Sequence, residues 1–600
     1  MDFEGKGVLL EERVDRMRWS SIIGILLGVC MLSGCASEQG MDPKEWIPET
    51  PPAIGGAQTP DVQENPIEDN NVSDATEQED VASLYSVEEL YAALEKKENR
   101  ELADMLWENQ RAAGLHNCSK QELNDKNLLT YYISSSEGDD NNSGRTPDQP
   151  KKSLAAFSGV SNVNVMLKCG DTFSMKDTFL VGSNVILGTY GDGARPILDF
   201  YQELDVTWEK LDAYSNIWMV DLEQLPGIYT GTANRSDCNI GHLVIDGEYN
   251  WKRLVKDDWE NYSYPEKLEE RKDGGFAIDW EKAVLYLYSE KNPNRKEIFY
   301  ALPKHGLTVN NVTKSEVYGV EVTGAGCHGI SLSQISDIVI SGCYIHHIGG
   351  ALLNNRNVRY GNAVEVWETG TDISVTYNVA EWIYDTCYTN QGNMTTMVQE
   401  DILFANNLGR FCFWGIETWG DGGSENEFDN IVYRDNILMY AMDITNESVA
   451  VYPDEAEQAM DANGEYYSEY PAYVTYRGNA QSYPYNQMSL LNAANAKKKE
   501  SLTIKDNIFW GTNRLLTLLK VTENGELCFA LENNVFYAEV PEKACVFRYT
   551  DADNQRVFLK ELDVETNQSF IRLIGTESEE ILSQVEQVLK DKLLFISEQK

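Results

Sequence analysis

Two segments of this chain carry the pattern apolar-Glu-x-Trp, at residues 364–367 and 416–419. Successive side chains of a β-strand point to opposite faces, so an inward apolar residue turns both the glutamate and the tryptophan outward. A pair of carboxyl groups can cleave a glycosidic bond by acid and base catalysis, and a flat aromatic ring packs against a sugar. We therefore predict Glu365 and Glu417 as catalytic residues, with Trp367 and Trp419 as sugar-binding residues.

A second repeated pattern, apolar-x-apolar-x-x-Asn-apolar, indicates what positions these residues. Its asparagines follow one another at 29, 29, 71 and 27 residues, and they are Asn378, Asn407, Asn436, Asn507 and Asn534. A repeat of this length is typical of a solenoid, and the alternation within each copy has the period of a strand. We predict a right-handed parallel β-helix in which the asparagines stack at one corner.

The repeat also predicts the spacing of the two glutamates. An alignment without gaps from Asn378 and Asn407 puts Tyr388 between Glu365 and Glu417, with Asp385 three positions earlier. Coils about 4.8 Å apart place the glutamates about 9.6 Å apart. This is near the upper limit for an inverting glycosidase, roughly 6.5–9.5 Å, and far from the roughly 5 Å of a retaining enzyme.

Further residues near this surface are candidates for the same site. Asp385 is a third catalytic candidate, and Tyr388 is predicted to bind substrate. Arg359 and Arg410 are predicted to bind substrate or, in a lyase, to act as the base. Asp421, in the glycine-rich turn that follows Trp419, is also predicted to bind substrate.

The start of the repeat region carries a resemblance to a known family. A tyrosine-rich strand, Tyr131-Tyr132-Ile133-Ser134, is followed by a polar turn at 137–147 and then by Gly170-Asp171-Thr172. This order resembles the opening of pectin-lyase-like β-helix proteins, which are carbohydrate-active, and the resemblance runs from about 128 to 537 with interruptions. It implies the fold but selects no reaction, since the fold hosts lyases, hydrolases, epimerases and adhesins.

The amino terminus is similar to a bacterial lipoprotein signal. Arginines precede an apolar stretch from Ile22 to Leu32, and Leu32-Ser33-Gly34-Cys35 follows, in which Cys35 would be lipidated. The start is Met1 or Met17, because acidic residues between them are unusual in a signal.

Composition shifts suggest the remaining boundaries. We expect a signal peptide at 1–35, an acidic, proline-rich linker at 36–80 and a helical cap at 81–127. The β-helix follows at 128–540, with insertions at about 205–300 (β-rich) and 443–500, and a carboxyl-terminal segment with an amphipathic helix occupies 541–600.

Charge and cysteine content exclude several classes of partner. Fifty basic and 96 acidic residues give a net charge of −46, which disfavours nucleic acid and polyanions. The cysteines have no paired spacing, so we expect neither a disulfide framework nor a metal site. No cofactor is expected, although a lyase would call for Ca²⁺.

Taken together, the sequence predicts a monomeric lipoprotein on the extracytoplasmic face of a bacterial membrane that hydrolyses a polysaccharide. Two alternatives remain open. One is a non-catalytic glycan-binding or surface-structural module, and the other is a polysaccharide lyase or epimerase.

Overall fold

The computed structural model describes residues 128–574 with gaps at 225–238, 255–262, 280–281, 353–358, 393–397, 421–426, 442–488, 496–501, 512–516, 521–529, 533, 539–546, 551–555 and 560–571. The chain winds into a parallel β-helix, as predicted. The first apolar residue of each repeat pairs in parallel with its counterpart in the next coil; these residues are Ile338, Ile373, Ile402, Ile431 and Leu502.

Each coil in the middle of the helix has three faces. In one coil, face A contains residues 364–367, face B contains 373–376 and face C contains 379–383, each with the residues stacked on it. Isoleucine, valine and leucine side chains from all three faces fill the interior. Burial of this apolar surface is the main force that holds the coils together.

The strands of the β-helix fall into three groups along the chain. The amino-terminal strands are Leu129–Ile133, Val163–Lys168, Thr172–Ser174, Phe179–Leu180, Val185–Tyr190 and Ile197–Asp199. The central strands are Leu307–Tyr318, Glu321–Thr323, Ile330–Ser341, Tyr344–Ile348, Val364–Thr376, Val379–Gly392, Val398–Ala405, Leu408–Gly420, Glu427–Arg434 and Ile437–Ala441. The carboxyl-terminal strands are Ser489–Asn495, Leu502–Lys505, Ile508–Gly511, Thr517–Lys520, Ala530–Glu532, Val535–Ala538, Phe547–Thr550, Arg556–Leu559 and Arg572–Ile574.

The repeated asparagines form a continuous ladder between faces B and C, here called the asparagine corner. Asn407 Oδ1 accepts the backbone N–H of Asn378 at 2.9 Å and its Nδ2 at 3.1 Å. Asn407 Nδ2 in turn donates to the carbonyl oxygen of Val375 at 2.9 Å. The same bonds continue through Asn436 and Asn507 to Asn534, and the five side chains are at most 1% exposed. The predicted stacking is confirmed.

The first insertion is β-rich, as expected, and the part of it that the structure describes forms two small sheets. One consists of Tyr201–Glu203, Leu243–Ile245, Glu248–Asn250 and Ile298–Ala301. The other consists of Glu209–Lys210, Ile217–Asp221, Arg253–Leu254, Phe276–Asp279 and Val284–Tyr288. A helix, Tyr264–Arg271, begins with a capping box formed by Ser263 and Glu266.

Among the described residues, the remaining short elements are three 3-10 turns, Ala155–Phe157, Leu222–Gln224 and Pro293–Arg295, and a hairpin of Ala351–Leu352 with Arg359–Tyr360.

The bounds of the second insertion require a correction. The sequence predicted an insertion to about residue 500, but Ser489–Asn495 is a coil strand that pairs in parallel with Leu408–Gly420 and Thr517–Lys520. Several predicted segments lie outside the described residues; these are the signal, the linker, the helical cap, the carboxyl-terminal amphipathic helix and residues 442–488. Among the described residues, no helix is long and apolar enough to span a membrane.

Candidate functional site

Glu365 and Glu417 occupy one column of face A, two coils apart. Glu365 pairs with Thr389, and Thr389 pairs with Glu417. Neighbouring strands lie about 4.8 Å apart, so the two backbone positions are separated by about 9.6 Å. Val364 and Ile416 are 0% exposed in the core, which directs both glutamates outward.

Both carboxyl groups are nevertheless covered. Glu365 is 5% exposed and Glu417 is 7% exposed, because neighbouring polar side chains surround them. The outward direction expected from the sequence therefore leads into a hydrogen-bonded cluster.

The oxygens of Glu365 accept bonds from two nitrogen donors. Asn362 Nδ2 lies 3.0 Å from Oε1, and His328 Nε2 lies 3.0 Å from Oε2. The backbone N–H of Asn362 donates to His328 Nδ1 at 2.9 Å. A nitrogen that accepts carries no proton, so His328 is the tautomer with its hydrogen on Nε2, which donates to Glu365.

Glu417 is held by two different groups. Its Oε2 accepts from the hydroxyl of Thr386 at 3.2 Å and from the side-chain amide of Gln391 at 2.9 Å. The backbone N–H of Thr386 also donates to Asn362 Oδ1 at 3.0 Å. Asn362 and Thr386 therefore connect the two carboxylates through a short chain of hydrogen bonds.

These residues belong to a second ladder, between faces C and A, here called the mixed corner and formed by His305, His328, Asn362 and Thr386. His305 Nδ1 accepts the backbone N–H of His328 at 3.2 Å, and the two imidazole rings stack at 4.9 Å. Burial, reinforced by the neighbouring His328, lowers the pKa of His305 to about 3. His305, His328 and Asn362 each accept the backbone N–H of the next member of the ladder.

The sequence analysis missed the supporting role of His328, Asn362, Thr386 and Gln391. A signal for the first of these was available, since His305-Gly306 and His328-Gly329 each precede an apolar strand of face A. A Cβ atom on Gly329 would lie 2.8 Å from the carbonyl oxygen of Ala363, so the corner requires a residue without a side chain there.

The predicted position of Tyr388 is wrong. Tyr388 pairs with Val364 and Ile416 and lies in the core, 1% exposed, where its hydroxyl donates to the carbonyl oxygens of Asn378 and Leu408. Thr389 occupies the glutamate column instead. The cause is a register shift between Ile383 and Thr386, which an alignment without gaps cannot detect.

Asp385 lies within that register shift. Its side chain is half-buried, and its backbone N–H donates to the carbonyl oxygen of Gly361. The next residue, Thr386, bonds both Asn362 and Glu417, so Asp385 lies beside the chain that connects the two glutamates.

Arg359 joins the inserted subdomain to the hairpin beside the site rather than facing a groove. The side chain is 1% exposed and donates to the carbonyl oxygens of Gly350, Trp251 and Gly241. Its guanidinium also lies 4.1 Å from the centre of the Tyr384 ring. The expectation that Arg359 contacts substrate is at odds with this burial.

Arg410 is likewise buried, on face C. Its Nε and one terminal nitrogen each lie 2.7 Å from Glu381 Oε1, and both residues are 0% exposed. Tyr344 donates to the other oxygen of Glu381 at 3.0 Å. Burial raises the pKa of Glu381, and Arg410 opposes this effect. Both side chains are enclosed by the protein, which is at odds with the expectation that Arg410 binds substrate.

The same face carries two histidines, His346 and His347, to which the sequence analysis assigned no role. His346 Nε2 lies 3.0 Å from Glu321 Oε1, and its Nδ1 lies 2.7 Å from Nδ1 of His347. The ring of Tyr249, from the inserted subdomain, stacks on His347 at 3.5 Å. This polar row lies where the insertion meets the β-helix.

The two tryptophans share a column next to the glutamates. Trp367 pairs with Gln391, and Gln391 pairs with Trp419, so the three backbone positions share one column of face A. Trp367 is half-buried. Asp421 and Cys35 lie outside the described residues. Within the described ranges, no group of three or more histidine, cysteine, aspartate or glutamate residues is arranged to hold a metal ion.

No protein-family model and no curated protein matches this chain. Solved structures do match it. A GH136 lacto-N-biosidase from Eubacterium ramulus is 13% identical, with 77% of this chain and 71% of that chain covered and a TM-score of 0.30. Pectate lyase Pel9A is 12% identical, with coverages of 71% and 76% and a TM-score of 0.33.

A structure described as a glycoside hydrolase is 10% identical, with coverages of 71% and 97% and a TM-score of 0.32. Similarity at this level carries no argument about the reaction, and the fold assignment rests on the strand register given above. In its fold the chain resembles the pectin-lyase-like parallel β-helix proteins, as the sequence predicted.

Proposed function

We propose that this protein is a glycoside hydrolase that cleaves a polysaccharide with Glu365 and Glu417. The observation that carries the proposal is the register Glu365, Thr389, Glu417, which places two carboxyl groups in one outward column. Their separation of about 9.6 Å along the backbone leaves room for a sugar bond and an attacking water between them.

The neighbouring column supplies the groups that would hold the sugar. Trp367 and Trp419 lie two coils apart there, and aromatic rings pack against the apolar faces of sugars. Gln391, between them, bonds Glu417 and so links this column to the carboxylates. Asp385, half-buried beside Thr386, is the third candidate carboxylate.

The test is incubation of the protein with a glycan panel, followed by mass analysis of the products. Products with the mass of added water identify a hydrolase, whereas an unsaturated uronate identifies a lyase. Glu365→Gln and Glu417→Gln keep the side-chain shape but remove the ionisable proton, so each should lower turnover by about a hundredfold or more. Glu400→Gln, at an exposed glutamate on the strand Val398–Ala405, is the matched control and should be unchanged. Full turnover in both site variants would refute the proposal.

One observation favours a second candidate, a non-catalytic glycan-binding module. Both glutamates are more than nine-tenths buried and hydrogen-bonded, as structural acids are. Retention of a glycan without any product from the panel would select this alternative. A lyase that uses Arg359 or Arg410 as its base is disfavoured, because both guanidinium groups are buried against protein oxygens or Glu381.

We further propose that the protein is held on the extracytoplasmic face of a bacterial membrane by a lipid on Cys35. The support is the sequence alone, in which an apolar stretch ends at Leu32-Ser33-Gly34-Cys35. Cys35→Ala should release folded protein from membranes, and Cys30→Ala is the matched control. Persistence of the Cys35→Ala variant in washed membranes would refute the anchor.

A further inference from the structure

We infer that the inserted subdomain carries a second saccharide-binding site, on one face of its four-stranded sheet, and that this site takes an uncharged sugar. The site is here called the insertion strip, and its residues are Tyr249, Val244, Phe299 and Glu203. It lies outside face A, so the inference does not depend on whether the glutamates of face A cleave a glycan.

The insertion strip is a row of directly paired residues across all four strands of the sheet. Val244 pairs with Tyr249 on one side and with Phe299 on the other, and Phe299 pairs with Glu203. Residues paired in this way point to the same face of a sheet. Neighbouring strands lie about 4.8 Å apart, so the backbone positions of Tyr249 and Phe299 are about 9.6 Å apart. A ligand that lies across the strands can therefore contact both rings.

The composition of the strip is unusual for a face that water reaches. Tyr249 is 43% exposed, Phe299 is half-buried and Glu203 is exposed, with Val244 covered between the two rings. The opposite face of the same sheet is enclosed in the core of the insertion, through Leu243, Ile298 and Tyr300. A sheet with one face in a core normally carries polar residues on the other face. Two aromatic rings on the open face are therefore not required by the core of the insertion, and they fit a ligand.

Tyr249 is held in place before any ligand arrives. Its ring stacks on the imidazole of His347 at 3.5 Å with the two planes 15° apart, so the exposed part of the ring is the opposite face and the edges. The hairpin that carries Tyr249 turns at Asp246 and Gly247, which both have positive φ, as in a tight two-residue turn. Asp246 also accepts the backbone N–H of Glu297 at 3.1 Å. A ring fixed in this way loses little freedom when a ligand binds to it.

The chemistry of the strip selects an uncharged sugar. Aromatic rings pack against the apolar faces of sugars, and the carboxylate of Glu203 accepts hydrogen bonds from hydroxyl groups. Glu248, next to Tyr249, is a second exposed acid, and the ammonium group of Lys296 is paired with Asp246 at 3.1 Å. A uronate would therefore meet carboxylates at the strip, which repel it.

The experiment is calorimetric titration of the full chain carrying Trp367→Ala, Trp419→Ala and Glu417→Gln, which weakens the site on face A and prevents turnover there. The probes are hexasaccharides of glucose, xylose and galactose, and the hexasaccharide of galacturonic acid as the anionic probe. At least one uncharged probe should still bind, and Tyr249→Ala or Phe299→Ala should each weaken that binding by about three- to tenfold. Failure of every uncharged probe to bind, or tighter binding of the anionic probe, would overturn the inference.

Matched variants separate a lost platform from a disturbed fold. Tyr249→Phe keeps the ring and should retain the affinity, and Leu180→Ala, which removes an exposed side chain from the β-helix, should not change it. Glu203→Gln keeps the shape and should reduce the preference for uncharged over anionic probes. A loss of affinity in Tyr249→Ala with no change in Phe299→Ala and Glu203→Gln would overturn the strip as a site. Absence of any cleaved product from the unaltered protein would instead refute the proposed function and leave these binding measurements unaffected.

Discussion

Two corners of this β-helix use side chains to accept backbone N–H groups from an adjacent coil, and they differ in composition. The asparagine corner uses one residue type in five coils, and each N–H donates toward the following coil. The mixed corner uses histidine, asparagine and threonine, and each N–H donates toward the preceding coil. Only the mixed corner contacts Glu365 and Glu417.

This difference in composition distinguishes a corner that stabilises the coils from one that also contacts the candidate catalytic residues. The side-chain amides of Asn407, Asn436 and Asn507 each make four hydrogen bonds, so one residue type repeated is sufficient to satisfy this corner. The residues of the mixed corner carry additional groups, an imidazole N–H, an amide and a hydroxyl, which extend to the carboxylates. A corner whose residue type changes from coil to coil is therefore where a function is expected.

The largest effect is predicted on face C, which lies between the two corners. Arg410→Met leaves the Glu381 carboxylate buried without its partner, which should cost about 3–5 kcal/mol of unfolding free energy. The double variant Arg410→Met with Glu381→Leu removes both charges and should recover most of this loss. Urea unfolding measures both. A loss below about 1 kcal/mol in the single variant would contradict a structural ion pair.

A smaller effect is predicted from matched changes at the two corners. Asn407→Leu and Asn362→Leu each leave buried backbone N–H groups without an acceptor, so each should cost about 1–3 kcal/mol. Asn362→Leu also removes the amide that donates to Glu365 and should lower glycan turnover, and Asn407→Leu should not. Equal effects of both variants on turnover would remove the distinction between the corners.

The smallest effect is a change in the stability of the protein with pH. His305 has a pKa of about 3 in the folded protein, below the value of about 6.5 in an unfolded chain. The folded state therefore binds fewer protons between these values, and the stability that His305 contributes is complete above about pH 6.5 and is lost as the pH falls toward 3. The asparagine corner contains no histidine, so the stability that it contributes should not change over this pH range.

Unfolding measured from pH 7 to pH 4 should show a shallower loss of stability in His305→Gln than in the unaltered protein. Asn407→Gln, a change at the other corner, is the control and should keep the original slope. Identical slopes in all three proteins would show that His305 does not cause the pH dependence of stability.

The sequence predicted the fold and the asparagine corner because both depend on repetition of residue type at a fixed spacing. It also predicted the column of Glu365 and Glu417, since each copy carries its own apolar-Glu-x-Trp pattern. Tyr388 was misplaced because the register shift before Thr386 changes the alignment by one position, which turns a side chain to the other face.

The partners of the buried arginines could not be predicted. Arg410 meets Glu381 29 residues away, and Arg359 meets Trp251 108 residues away, through coil stacking and through the insertion. Neither contact can be predicted from a pattern of residues that are close together in the sequence. His328 reaches Glu365 for the same reason, so its role emerged only from the geometry of the corner.

The most direct test of the paired carboxylates is the configuration of the first product, followed by proton NMR at the anomeric carbon during hydrolysis. Two carboxylates about 9.6 Å apart along the backbone leave room for water and cannot act as nucleophile and acid at the roughly 5 Å of a retaining pair. The account predicts an inverted anomer at the earliest time points. A retained anomer would show that Glu365 and Glu417 do not act as the pair proposed here.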